Sequence, residues 1–135
     1  SFQAAMHIRR NSSLNVYNSI FVGWPYGLYL QNANVGAVVK NVIFAGMWEN
    51  FKDKTSQNYF QTADLSNLTY ASSNDIIAKD GDYTSIVADK IDGADFSDTA
   101  LNDAFFEKVS YKGAFDGKND WAANWTNFDP NNTEY

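Results

Sequence analysis

Cysteine is absent from these 135 residues, so neither a disulfide nor thiolate chemistry is open to the chain. That absence leaves the compartment open, because a stacked strand core needs no cross-link. Histidine occurs once, as His7, beside Arg9. It reads as a strand-edge residue rather than a member of a catalytic triad or a histidine-rich metal centre. Basic residues are scarce: 10 Lys and Arg stand against 16 Asp and Glu, for a formal net charge of −6. Nucleic acid is therefore not an expected partner, since phosphate binding calls for clustered Lys and Arg. The one dense basic spot is His7-Ile8-Arg9-Arg10. No apolar run approaches the roughly 20 residues of a membrane span, and no signal-peptide pattern is present.

What the chain does have is a repeat. Val16-Tyr17-Asn18-Ser19-Ile20-Phe21-Val22-Gly23 returns as Val39-Lys40-Asn41-Val42-Ile43-Phe44-Ala45-Gly46, 23 positions on (39 − 16 = 23), with Val, Asn, Ile, Phe and Gly unchanged. A period of roughly 20–50 residues marks architectures in which each unit buries its apolar side by stacking on the next. Leu14, Val16, Ile20 and Val22 alternate with Asn15, Tyr17, Ser19 and Phe21, which is strand periodicity. The second copy sets Ala37, Val39, Ile43 and Ala45 against Val38, Lys40, Val42 and Phe44. A helical repeat would need apolar residues three and four apart, and these segments lack that spacing.

Asn18 and Asn41 fall where a plain strand would point them inward, at a cost of a few kcal/mol if unpaired. Stacked at a bend, one above the other, their amides satisfy each other as in side-chain ladders of cross-β stacks. Gly23 and Gly46 close the units as turn residues, and Pro25 sits where no ladder N–H is required. The expected fold is all-β, a parallel β-helix solenoid. The chain opens in mid-pattern, which reads as the continuation of a longer solenoid. Its N-terminal coil, near residues 2–13, would expose an open edge and favour self-association.

After Met47 the match fades. A short helix is expected near Ser56–Gln61, a polar, turn-rich stretch over 62–75, and short strands at Ile76-Ile77 and Ile86-Val87 with Ile91. Asp98 is a candidate N-cap for a short helix through Asp103. Phe105 and Phe106 are expected to pack inward, and Trp121, Trp125 and Phe128 to pin an irregular tail onto a surface. Residues 1–91 read as terminal coils and 92–135 as a cap on the same core, together one domain.

Phe105-Phe106-Glu107-Lys108-Val109-Ser110-Tyr111-Lys112-Gly113-Ala114-Phe115, followed by Trp121 and Trp125-Thr126-Asn127-Phe128-Asp129-Pro130, resembles the C-terminal region of secreted or surface proteins of Bacteroidetes-type bacteria. Gly93-Ala94-Asp95-Phe96 fits the same pattern, and His7-Ile8-Arg9-Arg10-Asn11 and Asn18-Ser19-Ile20 to Gly27-Leu28 fit the segment before it. The resemblance implies the end of a right-handed parallel β-helix, secreted or on the outer cell surface, with no catalytic residue in this region.

Polysaccharide lyases and glycoside hydrolases share that architecture. Their chemistry needs converging carboxylates, often with Ca²⁺, or a Lys or Arg base beside them. Here the acids Asp80, Asp82, Asp89, Asp92, Asp95 and Asp98 are scattered through turns, and none is assigned a catalytic role. Asp116-Gly117-Lys118-Asn119-Asp120 reads as a plain turn rather than a calcium loop, because Lys118 holds the third ligand position. No metal or cofactor is expected. The residues that point to a ligand are aromatic: Trp24, Tyr26, Trp48, Trp121 and Trp125, whose faces can stack on sugar rings. Trp24 and Tyr26 flank Pro25 on a turn and are expected to be exposed. The expected function is a non-catalytic, glycan-binding terminal segment. The alternative is the end of a polysaccharide-degrading enzyme whose active site lies upstream.

Overall fold

A computed structural model of the chain describes residues 3–10, 12–31, 36–52, 64–79, 82, 84–127 and 130–133. The expected helix near 56–61 lies outside them. The described residues are mostly strand and irregular structure, with few and short helices. The chain makes three passes. The first contributes β1 (Ala4–Arg9), β2 (Asn15–Tyr17) and β3 (Ile20–Val22). The second contributes β4 (Tyr26–Gln31), β5 (Val38–Lys40) and β6 (Ile43–Ala45). The third contributes β7 (Glu49–Phe51), β8 (Asp64–Ser66) and β9 (Thr69–Ala71). Like strands pair in parallel into three open sheets: sheet A is β1-β4-β7, sheet B is β2-β5-β8 and sheet C is β3-β6-β9.

The register follows the repeat. Val16 pairs with Val39, Ile20 with Ile43 and Phe21 with Phe44. A third copy, which the sequence reading took for a polar connection, continues the stack: Val39 pairs with Leu65, Ile43 with Thr69, Phe44 with Tyr70 and Ala45 with Ala71. It was hidden because Thr69 and Tyr70 replace Ile and Phe. Its spacing also grows from 23 to 26 (65 − 39 = 26), the extra residues falling between β7 and β8.

Asn18, Asn41 and Asn67 all adopt left-handed backbone, with φ of 47°, 59° and 51°. Asparagine tolerates that conformation because its short polar side chain bonds locally. The turn from sheet B into sheet C is made there in every pass. Asn41 Nδ2 donates to Asn18 Oδ1 over 2.7 Å, so the expected ladder is present between the first two passes.

This kink also resets the side-chain alternation, which corrects a simple reading of the pattern. Val39 faces the space between the sheets; beyond Asn41 it is Val42 and Phe44 that join it there, with Met6 and Leu28. Phe21, Phe44 and Tyr70 stack through that core with centroids 5.7 Å apart at each step. Ile43 and Ala45 face the other way, into a second core with Ile76 and Ile91, against which Ile20, Val22, Ile86 and Tyr111 pack. Strand β6 is thus buried on both faces.

The second core is closed by the segment after β9. Helices α1 (Ser73–Ile76) and α2 (Ala88–Ile91) replace the strands expected at Ile76 and Ile91. Asp75 accepts the N–H of Ser72 at 3.1 Å, a helix-start device that overrides the β-branched composition. Ile77 and Ile86 make an isolated antiparallel bridge, as do Asp92 and Tyr111. Asp98 does cap a turn, accepting from Ala100 N at 3.0 Å, but the helix is a single 3-10 turn, Thr99–Leu101. Phe105 and Phe106 face solvent rather than the core.

Candidate functional site

Three places gather polar or aromatic side chains. On the outer face of sheet B, Lys40 sits 2.7 Å from Asp64 and 3.0 Å from Asp98. Those two hydrogen-bonded carboxylates, Asp64 first, raise the Lys40 ammonium above its ordinary value. The N–H of Ala100, and then Lys40, hold Asp98 below the usual carboxylate range. Burial, and then the Asp98 charge, push Tyr17 up. All four groups are spent on one another. The cluster clamps the segment around Asp98 to the sheet and offers no free acid or base. Beside it, a cleft of about 600 Å³ lies between β2 and the later segment, lined by Phe96, Leu101, Phe106, Val109 and Tyr111. Asn18, one of several polar residues in its lining, is engaged in the same docking: its Nδ2 donates to Asp95 O and its Oδ1 accepts from Asp95 N, each at 2.9 Å.

The second place is aromatic. Trp121 stacks on Phe115 with centroids 5.3 Å apart and planes at 14°, and Trp125 continues the row at 5.6 Å. Both indole N–H groups are tied to backbone, to Ala114 O at 2.6 Å and to Trp121 O at 3.0 Å. With their polar edges satisfied internally, the rings are held in place, yet Trp121 is 54 % and Trp125 68 % exposed. Ala122, between them in sequence, is buried and anchors the turn. Asp116 shapes the preceding loop, accepting from Asn119 N and Lys118 N, each at 2.7 Å. Those bonds keep its carboxyl below the ordinary range.

The third place is the outward face of sheet A. His7 and Tyr29 occupy paired positions on β1 and β4 and stack with centroids 4.4 Å apart. Lys52 Nζ lies 4.1 Å over the Tyr29 ring and also reaches Gln3 Oε1. His7 Nε2 is 3.1 Å from Gln31 Oε1. With Arg9 and Trp24 these residues border a cleft of about 620 Å³, a ligand-sized volume.

The five aromatic candidates therefore separate. Trp121 and Trp125 form one shelf, and Trp24 lines the sheet A cleft. Tyr26 and Trp24 are half-buried rather than exposed, since Tyr26 opens β4 on the same strand face as Leu28 and Leu30. Trp48 is 82 % exposed and lines neither; its backbone N–H is bonded to Pro25 O. Sequence reasoning passed over Tyr29, Gln31 and Lys52. The signal was there in the return strand: one pass after His7 comes Tyr29, and one pass after Tyr29 comes Lys52.

Among the described residues there is no group of three His, Cys, Asp or Glu side chains placed to hold a metal ion, and no helix long and apolar enough to cross a membrane. Comparison with protein-family models, with curated proteins and with solved structures gives no match.

Proposed function

We propose that this chain is the non-catalytic, glycan-binding end of a secreted or cell-surface right-handed parallel β-helix protein of the Bacteroidetes type, with residues 92–135 as its cap. The three passes in register support the solenoid: each adds one strand to each sheet, as successive turns of a β-helix do. The observation that carries the binding role is the Phe115–Trp121–Trp125 row. Indoles are usually buried, whereas these exposed ones are held by their own N–H bonds and by stacking. A preorganised, exposed aromatic surface of that kind suits the C–H face of a sugar ring, because little side-chain freedom is lost on binding.

A glycan array probed with the full chain tests this. Binding should be lost in Trp125→Ala and Trp121→Ala and kept in Phe105→Ala, since Phe105 is exposed but outside the row. A parent protein that binds no glycan removes the reading. Self-association through the first pass belongs to the same proposal, since β1, β2 and β3 are all edge strands. Light scattering should then show a mass that rises with concentration; a monomer throughout counts against it.

A further inference from the structure

The outward face of sheet A has a chemistry different from the aromatic shelf. We infer that its cleft binds an acidic sugar, one carrying a carboxylate or a sulfate, through Arg9 and Lys52. The chain as a whole is acidic, with a net charge of −6, yet among the described residues no Asp or Glu lines this cleft. Among the described residues neither Arg9 nor Lys52 is paired with a carboxylate; the ion pairs belong to Lys40 and Lys79. Lys52 is held by a Gln3 amide and a tyrosine face, both neutral. The missing counter-charge is what an anionic ligand supplies, and Arg9 can grip a planar carboxylate or a sulfate with two parallel N–H bonds.

The rings argue for the same class. His7 covers one face of Tyr29 and Lys52 lies over its ring. The column therefore offers edges and polar tips, not an open platform for a neutral sugar. Gln3 and Gln31 add amide groups suited to hydroxyls, and Trp24 adds an apolar wall. A cleft of about 620 Å³ is far larger than an inorganic anion and fits a short saccharide. The parallel strands repeat the arrangement pass by pass, so a linear acidic chain would meet cations on more than one pass: Arg9 on the first, Lys52 after β7 on the third.

Calorimetry on the full chain decides this, with four probes: an oligogalacturonate, a sulfated oligosaccharide, a neutral cello-oligosaccharide and inorganic sulfate. Binding of either acidic oligosaccharide is expected, weakening as salt is raised, and the arm that binds identifies carboxylate or sulfate. Arg9→Gln and Lys52→Gln should each lower that affinity about tenfold, the usual effect of losing one charge-assisted bond. Trp125→Ala should leave it unchanged, which separates this cleft from the shelf. Both cations sit at the surface, so circular dichroism should show both variants folded. The inference is overturned if neither acidic probe binds, or if the neutral probe or inorganic sulfate binds as tightly. It is equally overturned if the Arg9→Gln, Lys52→Gln double variant keeps the parent affinity, or if the loss appears in Trp125→Ala instead.

Discussion

Phe44 sits between Ile43 and Ala45, and Phe105 between Ala104 and Phe106, so their neighbours are alike. Phe44 is 1 % exposed and Phe105 85 %. The difference lies in what the chain does around them. Phe44 belongs to a repeat, and each pass supplies its partner: Phe21 on one side and Tyr70 on the other. Phe105 follows a turn with no strand to pair it. Its N–H bonds to Asp103 Oδ1 at 2.8 Å and its ring meets Phe106 edge-on at 5.3 Å. The strand passes are held by register and burial. The segment from 92 to 113 is held by side chains bonded to backbone across long stretches of chain, such as Asn18 to Asp95, 77 residues apart. Apolar residues alone did not place that segment; a few amides and one ion-pair cluster did.

The comparison can be broken most severely at Phe44. Phe44→Ala should cost about 3–5 kcal/mol, because it empties the centre of the stack. Phe105→Ala should stay within about 0.5 kcal/mol. Urea melts of both variants measure the gap, and equal effects would dissolve the distinction. Asn41 stands at the joint between the two regions: it bonds Asn18 in the ladder and donates to Gly93 O at 2.8 Å. Asn41→Ala should cost about 2 kcal/mol by removing both bonds made by this buried amide and forcing alanine into left-handed backbone. Asn41→Gly keeps the backbone free, so the difference between the two variants in the same melts isolates the strain.

Gly113 sharpens the comparison from the other side. It has φ of 83°, its N–H bonds to Asn18 O at 2.7 Å, and an added Cβ would lie 2.9 Å from Ile20 Cδ1. Gly113→Ala should cost about 1–2 kcal/mol, mostly from the left-handed backbone. Hydrogen exchange should quicken around residues 91–113 and stay slow in β5 and β6; uniform quickening would mean that the regions unfold as one. The smallest effect is expected at Asp98. Its carboxyl is held below the ordinary range, so its stabilisation is present above the unfolded value and fades as pH falls through the folded one. Below about pH 4, the unfolded carboxylate value, exchange near residues 98–101 should quicken. Asp98→Asn should flatten that response, and an unchanged pH profile would sever the link between the clamp and the docked segment.

The strand passes were far more open to sequence reasoning than the binding surfaces. Val16 over Val39 and Asn18 beside Asn41 follow from identity at a fixed spacing. The third pass escaped because Thr69 and Tyr70 keep the shape of the repeat while losing its letters. The candidate surfaces were read as five separate aromatics. Trp121 and Trp125 are close in sequence and do meet. Trp48 joins neither surface, and the cleft on sheet A is assembled from His7, Tyr29 and Lys52, whose proximity depends on the register of three passes.

By itself the sequence determined the period, the strand character and the left-handed asparagine bends, because these depend on neighbouring residues and on one local torsion. Only the tertiary structure decided that Ile43 and Phe44 serve opposite cores, that 92–113 docks on sheet B and on the asparagine bends beside it, and that Arg9 and Lys52 border one cleft. Those outcomes depend on which distant groups lose water together, and that sum is made only when the whole chain is in place.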